Sequence, residues 1–495
     1  MALYPIKLPP GVYRNGTQYQ SAGRWWDSNL VRWYEGTMRP IGGWIVENRT
    51  TPLTGVCRGV FTWKTNDTSK WAMFGTNSNL YTYTGGVFTD ITPADFVPGR
   101  VDSVYGLGYG ISTYGTGAYG VQRTGVGLVL EAATWNIDNF GELPVMCAPN
   151  DGRILTWDLV LANNAAAVTN APTGNRGVVV TPERFLVALG AGGDPRKVAW
   201  ADQETMTTWT PSATNQAGDF TLQTNGAIFT AKRVRGGTLI WTNTDVHLMT
   251  YIGTPYVYSF DRVGSFCGAA GPNAVAALDS NAIWMGTNGF FMYDGYVKPL
   301  PCDVQDYIFS DMNFVQAAKI YAGANSAYGE VWWFYPSANS TENDRYVIYN
   351  YRENHWSIGT LSRTAWTGGG IFQWPLATDA NGYVYDHENG WTADGTPIMS
   401  TRYAQSGPIE IGNGDNVIVA QQLLPDEKTQ GQTTITFKTK FTPEGTEQSF
   451  GPYSLAPYTP VRFTGRQVSM EVNGNADADW RVGNVRVDGV AGGKR

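Results

Sequence analysis

The sequence predicts an all-β protein: an irregular β-propeller of about six blades, with an additional antiparallel β-sandwich or platform domain formed by the terminal regions. Three observations predict it. The 495 residues include 59 glycines, 27 tyrosines and 19 tryptophans but are only 16% charged, which suits short strands joined by glycine turns and packed by aromatics. Long helical periods are nearly absent, and the best short one is 303–313, where Val304, Tyr307 and Ile308 share a face. One strand-turn-strand phrase also recurs along the chain. Its clearest copy, NAIWMGTNGFFMYDGYVKPLP (281–301), reads as strands over 282–285, 290–293 and 296–300. The Asp294-Gly295 pair is read there as a type I′ hairpin turn, which needs positive φ at both central residues. KWAMFGTNSNLYTYTGGVFTDITP (70–93) repeats the phrase, and 239–253 and 377–390 are looser copies.

In chain order, residues 1–50 read as an extended arm or platform strands. Pro5, Pro9 and Pro10 keep the start extended, and Asn15-Gly16 marks a turn. Beyond it Trp25, Trp26, Trp33, Tyr34 and Trp44 alternate with Arg24, Arg32 and Arg39. The plain reading is a strand pair whose arginines stack on tryptophans or pair with Asp27 and Glu35. The sharper one makes Arg14, Trp25, Trp26, Arg32, Trp33 and Trp44 a docking surface for a neighbouring subunit, because Trp and Arg dominate interface hot spots.

Residues 51–395 read as the propeller. Aromatic anchors near Trp200, Trp241, Trp284 and Trp332 are spaced by roughly 40 to 50 residues, the length of a four-stranded blade. An insertion at 105–127, YGLGYGISTYGTGAYGVQRTGVG, is too poor in branched apolar residues to form a core and reads as a projecting loop. Its tyrosines Tyr105, Tyr109, Tyr114 and Tyr119 are candidates for a lip or gate. Residues 396–495 read as the sandwich. Ile435, Phe437 and Phe441 share a face of TTITFKTKF, a bulge is expected near Gly465, and the tail from Gly489 is read as frayed.

The net charge of −7, without long Lys/Arg runs, leaves no footprint for tight nucleic-acid binding. Cys57, Cys147, Cys267 and Cys302 are scattered, so neither a disulfide framework nor a zinc site is expected. The start lacks a signal-peptide core, and no apolar stretch is long enough to span a bilayer.

No motif carries chemistry well. Gly115 to Gly120 match G-x-G-x-x-G but lack the strand and helix that would hold a pyrophosphate. His247, His355 and His387 lie in different repeats and read as turn or strand-surface residues. Asp202, Glu204, Asp294, Asp386 and Glu388 sit at turns, where turn formation explains them better than glycosidase chemistry. The expectation is a protein that is not an enzyme, with no catalytic residue, cofactor or metal.

Taken as an ordered set, several phrases resemble a family. RNGTQYQSAGRWWDSNLVRW, RPIGGW, YGTGAYG, VVVTPERFLVALGAGGDPRKVAWADQETMTTWTP, VIYNYRENHWSIG and DWRVGNVRVDGVAGGKR together look like the tail hub or nozzle protein of short-tailed bacteriophages, the tail tubular protein B class. The likeness runs over essentially the whole chain. It implies a homohexameric ring in the virion tail, below the portal adaptor ring, with tail fibres or spikes outside. Double-stranded DNA would be held back by the central channel and then passed through it. The family supplies no catalytic residues. The second reading is a propeller that binds or cleaves host glycan, a tail-associated receptor-binding protein.

Overall fold

The computed structural model describes residues 2–108, 123–278, 281–410, 416–425, 431–442 and 444–493. Seven four-stranded antiparallel sheets succeed one another along the chain: blades 1 to 7. Blade 1 holds Cys57–Lys64, Lys70–Thr76, Leu80–Thr84 and Val87–Asp90. Blades 2 to 6 run over 136–167, 177–221, 228–265, 275–300 and 321–360. Blade 7 takes Ala365–Thr367, Leu376–Thr378 and Val384–His387 from one end of the chain and its outer strand, Trp44–Val46, from the other. The first strand of each blade touches the first strand of the next, and blade 7 meets blade 1, so the ring closes.

Seven blades rather than about six follow from that closure. Residues 365–387 hold only three strands, and the fourth lies far away in sequence, so a local repeat count misses the last blade.

Tryptophans carry the contacts between blades. Trp71 of blade 1 meets Trp157 of blade 2 edge-on, with ring centroids 5.3 Å apart. Trp241 of blade 4 meets Trp284 of blade 5 at 5.5 Å, and Trp332 of blade 6 stacks on Trp366 of blade 7 at 5.4 Å. The rings are large apolar bodies that fill the wedge between twisted sheets. Glycine makes room for one of them: a Cβ on Gly323 would stand 2.1 Å from Cδ1 of Trp366.

The recurring Thr-Asn pair has a structural cause. In blade 1 the Thr76 hydroxyl accepts from the N–H groups of Ser78 (3.2 Å) and Asn79 (2.8 Å), while Asn77 Oδ1 accepts from Val56 N at 2.8 Å. In blade 4 Thr242 does the same for Thr244 (3.1 Å) and Asp245 (2.7 Å), and Asn243 Oδ1 accepts from Ala227 N at 2.9 Å. Threonine shapes the turn and asparagine pins the incoming inter-blade segment to it.

Blade 5 follows the expected strands closely: Ala282–Met285, Phe290–Tyr293 and Val297–Leu300. Its Asp294-Gly295 turn is not type I′, because only Gly295 has positive φ (+119°). The Gly85-Gly86 turn of blade 1, with φ of +56° and +86°, has the signs that type I′ requires. The one α-helix of the described residues, Gln305–Ser310, is the expected one, with Val304 and Ile308 buried.

Both chain ends build the sandwich. Its first sheet orders Ala2–Ile6, Val485–Ala491, Ile418–Leu424 and Thr459–Gly465. Its second orders Trp25–Asn29, Tyr403–Ser406, Gln467–Gly474, Thr433–Lys440 and Gln448–Ser454, with Ile409–Glu410 beside Gln467–Gly474. Phe437 and Phe463 stack across the two sheets at 4.5 Å. Their core is continuous with Trp25, Trp33, Phe290, Trp333 and Trp356, so the sandwich is packed onto blades 5 and 6.

Three expectations are corrected here. The phase change at Gly465 is not a bulge within one strand but the corner where the chain leaves the first sheet for the second. Phe441 lies past its strand and is exposed. Residues 489–491 are not frayed, because Val485–Ala491 is a central strand with a neighbour on each side.

Candidate functional site

Two places combine unusual chemistry with a key position: the propeller axis and the strand that closes the ring. At the axis, Phe61, Asn136, Asp138, Val179 and Lys232 line a cavity of about 160 Å³. Asn136 ties three blades together. Its Oδ1 accepts from Val178 N at 3.3 Å, and its Nδ2 donates to Thr230 Oγ1 at 3.0 Å. Asp138 accepts from Val180 N at 2.9 Å and from Arg233 Nη2 at 2.8 Å. Burial lowers the pKa of the neighbouring Lys232 ammonium; Asp138 opposes that shift and Arg233 reinforces it. The cavity has room for roughly five waters. It suits an amine facing a small ligand.

At the ring closure, Trp44 packs on the His387 ring at 5.4 Å. Arg363 lies between the rings of Trp44 (4.9 Å) and Tyr385 (4.2 Å), and its Nε donates to His387 Nε2 at 2.7 Å. Accepting that bond requires a neutral imidazole. Burial, with the Arg363 charge added, holds His387 well below its ordinary pKa, and burial lowers Arg363 to about 10. Asp386 on the same strand faces Glu47, which follows the closing strand and accepts from Tyr83 Oη at 2.9 Å. Burial and the Glu47 carboxylate, with a hydrogen bond between the two, push Asp386 up to about 7.

Arg32, almost fully buried, clamps the N-terminal segment to blades 6 and 7. Its guanidinium lies 3.7 Å from the Tyr328 ring centroid, pairs with Glu330 at 3.0 Å and donates to Glu388. Burial opposes the Arg32 cation, but the two carboxylates outweigh it and its pKa rises. Glu330, buried with it, is pushed up to about 7 by burial against the pull of Arg32.

The candidate interface residues separate. Trp25, Arg32 and Trp33 are buried inside the chain, which removes them from any subunit surface. Trp26, Arg14 and Trp44 are half-buried. Arg14 satisfies both parts of the plain reading, pairing with Asp27 at 2.8 Å and lying over Trp26 at 5.1 Å. Arg39 pairs with Glu35, but Arg32 goes to Glu330 and Glu388 instead. Of the gate candidates, half-buried Tyr105 sits in a strand, Val104–Gly108, paired with Arg123–Leu130 as a two-stranded ribbon between blades 1 and 2. The base of the insertion is therefore sheet, not loop. Tyr109, Tyr114 and Tyr119, like Gly115 to Gly120, lie outside the described residues.

The three histidines are buried strand residues, not turn or surface ones. Asp202 and Glu204 follow the third strand of blade 3, Asp294 is in blade 5, and Asp386 and Glu388 lie at blade 7. The Asp386–Glu47 pair was missed because Glu47 belongs to the closing strand's far end. The sign available in the sequence was the apolar triplet Trp44-Ile45-Val46 beside a region one strand short. Among the described residues no group of three or more His, Cys, Asp and Glu is placed to hold a metal. No helix among them is long and apolar enough to cross a membrane.

No protein-family profile matches the chain, and no curated protein matches it. Among solved structures it is similar to a streptogramin B lyase at 10% identity, covering 70% of this chain and 97% of that one with a TM-score of 0.41. Virginiamycin B lyase from Staphylococcus aureus follows at 8% identity, with 69% and 97% covered and a TM-score of 0.41. The Pan2 WD40 domain of Neurospora crassa shares 7% identity, with 72% and 96% covered and a TM-score of 0.38. The expectation that this chain is not an enzyme is withdrawn: two of these neighbours are lyases by name.

Proposed function

We propose that this chain is a tail hub or nozzle subunit of a short-tailed bacteriophage, a ring-forming protein whose shared channel retains genomic DNA and passes it at ejection. The observation that carries the reading is the division of labour in the chain. The propeller is closed by its own N-terminal strand, and both chain ends leave it to build a second, two-sheet body. Among the described residues that body has unpaired edges at Ala2–Ile6 and Gln448–Ser454, and exposed Tyr458 and Phe441 near by. Exposed strand edges and apolar side chains favour association with another copy. The reading puts the DNA channel between subunits and not along the propeller axis, where Asn136, Asp138 and Lys232 line a small cavity.

The ring is expected to be a hexamer that meets the portal adaptor on one side and fibres or spikes on its rim. Native mass measurement on the full chain tests it: a closed oligomer supports the reading. Ser449→Lys with Ser454→Lys, which place charge on the free edge, should return the oligomer to monomers. An unmodified chain that stays monomeric at micromolar concentration, or a ring indifferent to those charges, counts against it.

A further inference from the structure

We propose that the face of the propeller between blades 3 and 4 carries a binding site for an acidic saccharide, one with a carboxylate on the sugar ring. The site is a cleft of about 480 Å³, lined by residues of blades 3 and 4 and of the segments that join them. Arg196 and Arg262 line it, both exposed. Among the described residues Arg196 has one distant carboxylate, Asp194 at 3.7 Å, and Arg262 makes no ion pair. Guanidinium forks left open in this way match a carboxylate with two parallel hydrogen bonds.

The floor is polar and fixed. The Thr224 hydroxyl donates to Asp245 Oδ2 at 2.8 Å and accepts from Gly226 N at 3.0 Å. Asp245 is buried there, a carboxylate that can accept from a sugar hydroxyl. Asn225 and Thr244 add further donors and acceptors on the wall.

The rim supplies the apolar face that sugar rings stack on. Phe266 is 91% exposed and has a φ of +58°, a conformation strained for a bulky residue. It is held outward because the next two N–H groups, Cys267 and Gly268, both donate to Thr244 O, at 3.0 and 3.1 Å. An exposed aromatic held in a costly backbone conformation at the mouth of an arginine-lined cleft is what a recognition site requires, and burial does not explain it.

This site is separate from the sandwich edges, so it stands or falls independently of ring assembly. The test is calorimetric titration of the full chain with an oligogalacturonate, with a neutral maltooligosaccharide and inorganic phosphate as comparisons, and oligomeric state checked on the same samples. Saturable binding of the acidic sugar is expected, with none of the neutral one. Arg262→Gln should weaken it by at least about tenfold, the scale of a charged hydrogen-bonded contact. Phe266→Gly, which relieves the backbone strain, should weaken the sugar while leaving any phosphate binding unchanged. Binding of phosphate alone, equal binding of neutral and acidic sugars, no binding, or full affinity in both variants would each overturn the proposal.

Discussion

At the scale of single residues, the fold depends on a few large side chains whose partners lie one blade away. Trp366 is buried and stacks on Trp332 with an angle of 11° between planes. Trp366→Ala is expected to cost about 3–5 kcal/mol, measured as a lowered denaturant midpoint, because it empties the joint where the ring closes. Gly323→Ala should cost about 1–3 kcal/mol by pushing a methyl into the same ring. The buried Arg32 is the strongest electrostatic case. Arg32→Met leaves Glu330 and Glu388 without their cation, and a loss of about 3–5 kcal/mol is expected above neutral pH, where Glu330 is ionised in the intact protein. That loss should shrink as the pH falls and Glu330 takes up a proton.

At the scale of elements, the closing strand is bracketed by two titrations of opposite sign. His387 has a depressed pKa, so its contribution is complete above about 6.5 and is lost as the pH falls below that. Asp386 has a raised pKa, so its contribution is complete below about 4 and is lost as the pH rises through 7. In the intact protein the two oppose each other between about pH 4 and 7. Glu47→Gln keeps an acceptor for Tyr83 but removes the repelling charge. Its thermal midpoint should exceed that of the unaltered protein at pH 8, by an amount on the order of 1 kcal/mol after solvent screening, and match it at pH 4.5. His387→Gln keeps an acceptor for Arg363 and should blunt the loss of stability in acid. Identical pH profiles for both variants and the parent would remove the closing strand from this account.

The same strand shows what the sequence could reveal. Three of the four strands of blade 5 were legible because they and the turns between them lie within 281–301, where apolar alternation and turn residues are local signals. Blade 7 was not, because no local pattern joins Trp44–Val46 to Val384–His387. Gly465 was legible as a discontinuity but not as a change of sheet, since one residue of phase looks the same either way. At the candidate sites, the arginine–aromatic alternation of residues 14–44 was visible. That Arg32 and Trp33 point inward depends on blades 6 and 7 covering them, which is tertiary information.

At the scale of the whole molecule, a self-contained disc and a two-sheet body share one hydrophobic core through blades 5 and 6, so the two are expected to move together. With a net charge of −7, duplex DNA should bind weakly at physiological salt, which suits a conduit because every neutralised phosphate adds affinity and drag. The most direct test of the central claim is electron microscopy of the purified chain. The account predicts closed six-fold rings with the sandwiches around a central hole wide enough for a duplex and the propellers outside. Isolated single particles, or rings whose hole is lined by the propellers, would contradict it.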